Sequence, residues 1–367
     1  MEAEREKIKR AQNTVQILVK TILSTDSTLI MNEATKALKV FSKHPEVIHL
    51  LWKDGALIQI LNEKFITGAD PMSQENFLET LASACKYPQY REILARHEKV
   101  VEILLMQIKS MSHRVTLFAL KILRLLAQDL QSLELLQQGH QLRLINQLIY
   151  AFNWLFHKHK EARPEDDSAQ TNRIFREIAK TFQYILLHYD LLQRQMGVSA
   201  GKDDDDDMER MAAMNLLVTH NARSMDNNEV ENNLVVTLVN LGRATTDVAT
   251  MLNAAKSLAH MTEVLHCNSV VASPQAMEFM MTMLKDTKTV RNHREGCRYF
   301  ANLSYYKQYI NALIDMKITA YMLGTIEQDN QHDDVDAIKY SVIALANLSC
   351  HPNFMTETQK AAKGDIT

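Results

Sequence analysis

The residues best suited to binding chemistry in this chain are three arginines and one asparagine: Arg291, Arg294, Arg298 and Asn302. On an α-helix, with about 100° of rotation per residue, their side chains fall within a wedge of about 80°. Guanidinium groups pair with carboxylates and phosphates through parallel hydrogen bonds. The spacing therefore predicts a basic helix face that binds an acidic or phosphorylated segment. The alternative is a solvated face that Glu295 and nearby acids neutralise.

A short internal repeat positions this helix. Asn302 and Asn347 each stand in an Ala-Asn-Leu-Ser tetrapeptide, about 45 residues apart, and His260 occupies the same slot in a weaker copy about 42 residues earlier. Lys256 then aligns with Arg298. The basic strip is thus expected to extend over two neighbouring repeats, through Lys256 and His260.

The N-terminal third repeats with a similar period. Residues 37–45 align with residues 80–88, and both segments end in proline. The chain has 367 residues, 46% of them hydrophobic, and only 9 Gly and 6 Pro. This composition favours helix nearly throughout. A helical repeat of about 40–47 residues is typical of a stacked α-solenoid, so the sequence predicts an all-α fold.

Other candidate sites have a simpler interpretation. His157 and His159 lack further ligands at metal-binding spacing and are interpreted as a polar loop. The run Asp203–Asp207 lacks the alternating spacing of a calcium loop. Cys267, next to His266, has no orienting third group. No catalytic or phosphate-binding motif is found, so we expect no enzymatic activity, no cofactor and no metal.

Charge and cysteine content restrict the class of protein further. The net charge of −3 gives no argument for nucleic-acid binding. The 4 cysteines include no CxxC pair, which is typical of a reduced intracellular protein. The N-terminus has no apolar signal core, and the run from Leu148 to Phe156 is too short to span a bilayer. A cytoplasmic protein without a membrane span is expected.

Two polar stretches interrupt the repeats. Residues 157–170 are expected to loop out between helices. The acidic stretch 197–207 is expected to form a flexible loop, because adjacent like charges repel and solvate. It would separate N-terminal repeats (1–196) from C-terminal repeats (208–355), which are followed by a frayed tail (356–367).

The tetrapeptides at Ala301–Ser304 and Ala346–Ser349, each ending a helix, and the Asp-Gly turn within Lys53–Leu57 resemble the armadillo-repeat family. The resemblance implies a right-handed α-solenoid of about seven or eight armadillo-like repeats over residues 15–355. HEAT repeats are an alternative for residues 140–240.

Armadillo proteins hold extended partner segments along a concave groove, where a ladder of asparagines bonds the partner's backbone. The resemblance therefore implies a non-catalytic scaffold or adaptor, with the cytoskeleton or cilium as the favoured setting. The alternatives are a regulatory or chaperone-like factor acting on a GTPase or motor protein, and an enzyme whose site cannot be read. The expected partner-binding residues are Lys256, His260, Arg291, Arg294, Arg298, Asn302 and Asn347.

Overall fold

The computed structural model describes most of the chain. The described residues are 2–53, 55–65, 70–110, 112–129, 131–133, 148–150, 152–156, 168–199, 234–263, 271–286, 288–328, 334–351 and 354. Within these residues all regular structure is helical and there is no strand. The predicted all-α fold is confirmed.

The chain divides into two compact units, Met1–Ile185 and Leu186–Thr367. The helices that begin in the first unit are α1 (Glu2–Ser24), α2 (Thr28–Phe41), α3 (Pro45–Lys53), α4 (Ala56–Ile60), α5 (Pro71–Ala84), α6 (Pro88–Ala95), α7 (Glu98–Gln107), α8 (His113–Ala127) and α9 (Ser168–Ser199), with a π-helical turn at Leu61–Phe65. The second unit contains α10 (Leu234–Arg243), α11 (Val248–Glu263), α12 (Pro274–Lys285), α13 (Val290–Ser304), α14 (Ile310–Asp315), α15 (Ile318–Gln328) and α16 (Val335–Ser349), with a 3-10 turn at Lys307–Tyr309.

The polar stretches that were predicted to interrupt the repeats lie mostly outside the described residues. Helix α9 continues through Ser199, so the first three residues of the stretch 197–207 are helical. The acidic run Asp203–Asp207, most of the stretch 157–170 and the tail 356–367 lie outside the described residues.

Prolines and polar caps start the helices of the first unit at equivalent points. Pro45 and Pro88, aligned by the repeat, are the first residues of α3 and α6. Proline suits the first helical position, where its missing N–H needs no partner. Before Pro71, Asp70 caps α5 by accepting hydrogen bonds from the backbone N–H groups of Met72 and Ser73 at 3.0 and 3.2 Å. The long helices α2, α5 and α8 then pack against one another in order.

The second unit repeats this arrangement with α11, α13 and α16 as its stacked long helices, while α12 packs against α13. Gly296 allows a close approach here, since a Cβ atom at this position would lie 2.6 Å from the backbone nitrogen of Leu284 in α12. This stack of three helices carries every candidate residue of the predicted strip.

Candidate functional site

Helix α13 has a buried packing face and a polar face. Cys297, Phe300, Ala301 and Ser304 are at most 1% exposed. Arg291 is exposed, and Arg294, Arg298 and Asn302 are half-buried. The predicted grouping of these four polar residues on one helix face agrees with this burial pattern.

Arg298 lies at the centre of a polar cluster between α11 and α13. Its Nε and Nη2 groups both donate to Oε1 of Glu263, at 2.8 and 2.6 Å. Nη2 also donates to Nδ1 of His260 at 2.8 Å, and Nη1 donates to Oε2 of Glu295 at 3.4 Å. The guanidinium therefore joins two successive helices of the stack.

The protonation states of this pair follow from its surroundings. Burial by itself would raise the pKa of Glu263, but the neighbouring His260 and the charge and hydrogen bonds of Arg298 lower that pKa to about 2. Burial likewise favours the neutral form of Arg298, but the charge of Glu263 outweighs it and raises the arginine pKa. Both groups are charged at neutral pH, so the positive charge of Arg298 is balanced within the chain.

Arg294 makes the corresponding connection towards α16. Its Nε group lies 3.0 and 3.1 Å from the two carboxylate oxygens of Asp334, and Nη1 lies 3.5 Å from Asp336. Asp334 is buried and caps α16 by accepting a hydrogen bond from the backbone N–H of Ala337 at 3.3 Å. Arg294 thus pairs with the residue that starts the next helix.

Two cations of the strip keep their charge available. Lys256 is half-buried on α11, and Arg291 is exposed near the start of α13. Within the described part of the chain, neither side chain makes an ion pair or a side-chain hydrogen bond. An incoming anion could pair with either one without breaking an existing contact.

The two asparagines form matching contacts between helices. Nδ2 of Asn302 donates to Oγ1 of Thr262 at 2.8 Å, and Nδ2 of Asn347 donates to Oγ of Ser304 at 3.0 Å. Each carboxamide also carries an acceptor oxygen, which has no hydrogen-bond partner among the described residues. The acceptor oxygen of each amide is therefore available to a ligand.

Sequence reasoning missed Glu263 and Asp334, which pair with the two central arginines. Glu263 stands three positions after His260, so a helical i, i+3 reading would have put its carboxylate beside the strip. Asp334 stands directly before a helical apolar pattern, where an N-cap is expected. Neither pattern predicts which arginine pairs with the acid, because both arginines lie on α13 and the two acids belong to α11 and to the start of α16.

The other candidate sites of the sequence lie largely outside the described residues. In the parts of the chain that the structure covers, no group of three or more His, Cys, Asp or Glu side chains could hold a metal ion. His157, His159, His266, Cys267 and Asp203–Asp207 lie outside those parts. A cavity of about 450 Å³ between α1, α3 and α4 is lined mainly by aliphatic side chains, with Lys20 its one charged lining residue. No described helix is long and apolar enough to cross a membrane.

Comparison with known proteins supports the fold. No family model and no curated protein sequence matches this chain. Among solved structures, an engineered protein is similar at 18% identity with a TM-score of 0.53, covering 95% of this chain and 82% of that chain. A designed armadillo repeat protein in complex with the peptide (KR)4 is similar at 10% identity with a TM-score of 0.50, covering 80% of this chain and 98% of that chain.

These identities show the fold alone, and the fold is that of an armadillo-like α-solenoid. The predicted resemblance is confirmed at that level. Such folds are typical of protein-binding scaffolds, because stacked repeats create extended surfaces.

Proposed function

We propose that this chain is a non-catalytic scaffold or adaptor that binds an extended segment of a protein partner across α11, α13 and α16. The observation that carries the proposal is the pair of half-satisfied carboxamides, Asn302 and Asn347, on successive helices. Packed helices lie about 8–10 Å apart, and an extended chain advances about 3.3 Å per residue. Backbone N–H groups on the same side of an extended segment recur every two residues, about 6.6 Å apart, so two such groups could donate to the acceptor oxygens on successive helices.

The charges of the face favour an acidic or phosphorylated segment. Glu263, Glu295 and Asp334 could attract a basic peptide, but each already pairs with Arg298 or Arg294. Lys256 and Arg291 have no such partner among the described residues, so the charge left for a ligand is positive. The (KR)4 peptide bound by the designed neighbour has the opposite sign.

The other predicted residues have a positioning role in this proposal. Arg294, Arg298 and His260 bond across neighbouring elements of the stack and hold the spacing of the face. We propose that the protein acts in the cytoplasm, with the cytoskeleton or cilium as its setting. The described cysteines Cys85 and Cys350 are free thiols, which is in keeping with a reducing compartment.

The test compares two fluorescein-labelled octapeptides, (ED)4 and (KR)4, by fluorescence anisotropy with the full chain. We expect (ED)4 to bind more tightly than (KR)4. The variants Lys256→Glu and Arg291→Glu should each weaken (ED)4 binding about tenfold, because each replaces an attractive charge by a repulsive one. Lys20→Glu, an exposed change of the same size on α1, is the matched control and should leave the affinity unchanged.

Tighter binding of (KR)4 would contradict the acidic partner class but would leave groove binding intact. Unchanged (ED)4 affinity in both groove variants would contradict the site itself. Circular dichroism of each variant should match the wild type, because neither substituted side chain makes an ion pair or a side-chain hydrogen bond among the described residues.

A further inference from the structure

His260 uses one of its two ring nitrogens within the stack. Nη2 of Arg298 lies 2.8 Å from Nδ1 of His260 and 2.6 Å from Oε1 of Glu263. A guanidinium group only donates hydrogen bonds, and its Nη2 atom carries two protons. One proton goes to the carboxylate and the other to the imidazole, so Nδ1 is the acceptor of this contact.

The position of the ring proton follows from this contact. The other polar neighbour of Nδ1, Oε2 of Glu263, lies 3.6 Å away, which is too long for a hydrogen bond. A neutral imidazole whose Nδ1 atom accepts carries its proton on Nε2. Arg298 therefore fixes the tautomer of His260, and Nε2 is a hydrogen-bond donor.

This donor is open to a ligand. Nε2 makes no hydrogen bond with any described residue, and it is not one of the buried polar atoms that lack a partner. It therefore reaches solvent, although the His260 side chain is only 14% exposed. A donor on a side chain that is already held in place loses little freedom when a ligand binds.

Lys256 provides a second donor beside the first. It lies one helical turn before His260 on α11, at the i, i+4 spacing that makes two side chains neighbours on a helix surface. Its ammonium group has no ion pair among the described residues. An ammonium and a neutral N–H group together suit anionic oxygens, because hydrogen bonds to charged acceptors are stronger than those to neutral ones.

The equivalent positions on the next two helices have the opposite polarity. Asn302 and Asn347 each donate Nδ2 to a hydroxyl of the preceding helix in the stack, which leaves their carboxamide oxygens as acceptors. Neither oxygen is among the buried polar atoms that lack a partner. The face therefore changes from donors on α11 to acceptors on α13 and α16.

We propose that His260 and Lys256 form an anion subsite, in which the Nε2–H group and the ammonium bind one carboxylate or phosphoryl group of the partner segment. This inference rests on the proposed function and adds a direction to it. An anionic residue of the segment lies on α11, and backbone N–H groups of the same segment lie on α13 and α16. Arg298 is a positioning residue of this subsite, because it acts on the ligand through His260.

Heteronuclear NMR of the full chain with isotope-labelled histidine tests the tautomer directly. The chain has 14 histidines, and the signals of His260 are those that disappear in His260→Gln. We expect an unprotonated Nδ1 and a protonated Nε2 in the wild type. In Arg298→Met the proton should shift towards Nδ1, because Glu263 would then be the only charged neighbour of that nitrogen. Loss of packing alone would not move the proton in this direction.

Fluorescence anisotropy with (ED)4 tests the binding role. His260→Leu should weaken binding about tenfold, since leucine has no donor for the anion. His260→Gln keeps an N–H group near the place of Nε2, and its affinity should lie closer to the wild type than to His260→Leu. His44→Leu is the matched control, because it makes the same change at an exposed histidine of the first unit, and it should leave the affinity unchanged.

A mixed Glu-Ser octapeptide, with and without phosphorylation of its serines, shows which anion the subsite prefers, and both forms should lose affinity in His260→Leu. Equal (ED)4 affinity of the wild type and His260→Leu, or a proton on Nδ1 in the wild type, would overturn this inference. The proposed function would survive that result if Lys256→Glu still weakened (ED)4 binding. Absence of (ED)4 binding to the wild type would overturn both.

Discussion

Arg298 of α13 donates two hydrogen bonds to a single carboxylate oxygen of Glu263 on α11, at 2.8 and 2.6 Å. The two residues lie 35 positions apart in the chain, so this contact is made only when successive repeats stack. Because of this contact, Arg298 has a structural role, although the sequence predicts it to bind a ligand. The guanidinium stabilises the spacing of the helices, while Lys256 on α11 and Arg291 on α13 make no ion pair among the described residues.

Arg298→Glu is therefore expected to destabilise the second unit. The change leaves Glu263 and Glu295 without their cation and adds a third carboxylate between them. Removing one partner of a buried pair typically costs 3–5 kcal/mol. Since Glu263 is partly exposed, we expect about 2–3 kcal/mol. The midpoint of urea unfolding measures this loss.

Arg291→Glu is the matched control for that experiment. It makes the same charge change on the same helix, at an exposed position with no ion pair among the described residues, and should shift stability by less than about 0.5 kcal/mol. Equal midpoints for the two variants would show that the Arg298–Glu263 pair does not stabilise the stack.

Acid should weaken the same contact. The pKa of Glu263 is lowered from its usual 4.5 to about 2 in the folded chain. A lowered folded-state pKa stabilises the fold above the unfolded value, and this contribution disappears as the pH falls from about 4.5 to about 2. The loss should reach about 3 kcal/mol at most.

Urea unfolding at a series of pH values, for the wild type and for Glu263→Gln, isolates this contribution. The variant cannot titrate at this position, so its stability should fall less steeply below about pH 4.5. Parallel curves for the two proteins would assign the acid sensitivity to other carboxylates.

Much of the architecture could be predicted from short-range signals. The repeated Ala-Asn-Leu-Ser tetrapeptide and the aligned Pro45 and Pro88 recur with the period of the helices that they end and begin. Helical periodicity also grouped Arg294, Arg298 and Asn302 correctly, because spacing within one helix fixes relative direction. The charge available on the face could not be predicted in the same way. It depends on how Glu263 and Asp334 meet the arginines across a helix interface, and that register is set by packing.

Two glycines in the second unit should respond differently to alanine. A Cβ atom at Gly296 would lie 2.6 and 2.7 Å from backbone atoms of Leu284, so α12 and α13 would have to move apart. Overpacking of this kind costs about 1–3 kcal/mol. At Gly324 nothing lies within 4 Å of the added atom, and alanine favours helix by about 0.5–1 kcal/mol. The melting temperature should therefore fall for Gly296→Ala and stay level or rise for Gly324→Ala. A lower melting temperature in both variants would contradict the close approach of α12 and α13.

Asn302 and Lys256 should contribute to (ED)4 binding in distinguishable ways if the proposed groove is correct. The Asn302 acceptor oxygen would meet only the backbone of the ligand, so Asn302→Ala should weaken all bound sequences by a similar factor, about five- to tenfold. That factor should change little with salt. Lys256→Gln removes a half-buried charge that makes no ion pair among the described residues, so its effect should be large in dilute buffer and should fade as salt screens the interaction. Anisotropy titrations of (ED)4 and of a mixed Glu-Ser octapeptide, each at low and high salt, measure both effects. A sequence-dependent loss for Asn302→Ala would mean that its carboxamide meets ligand side chains instead of the backbone, and a salt-independent loss for Lys256→Gln would remove the electrostatic argument for an acidic partner.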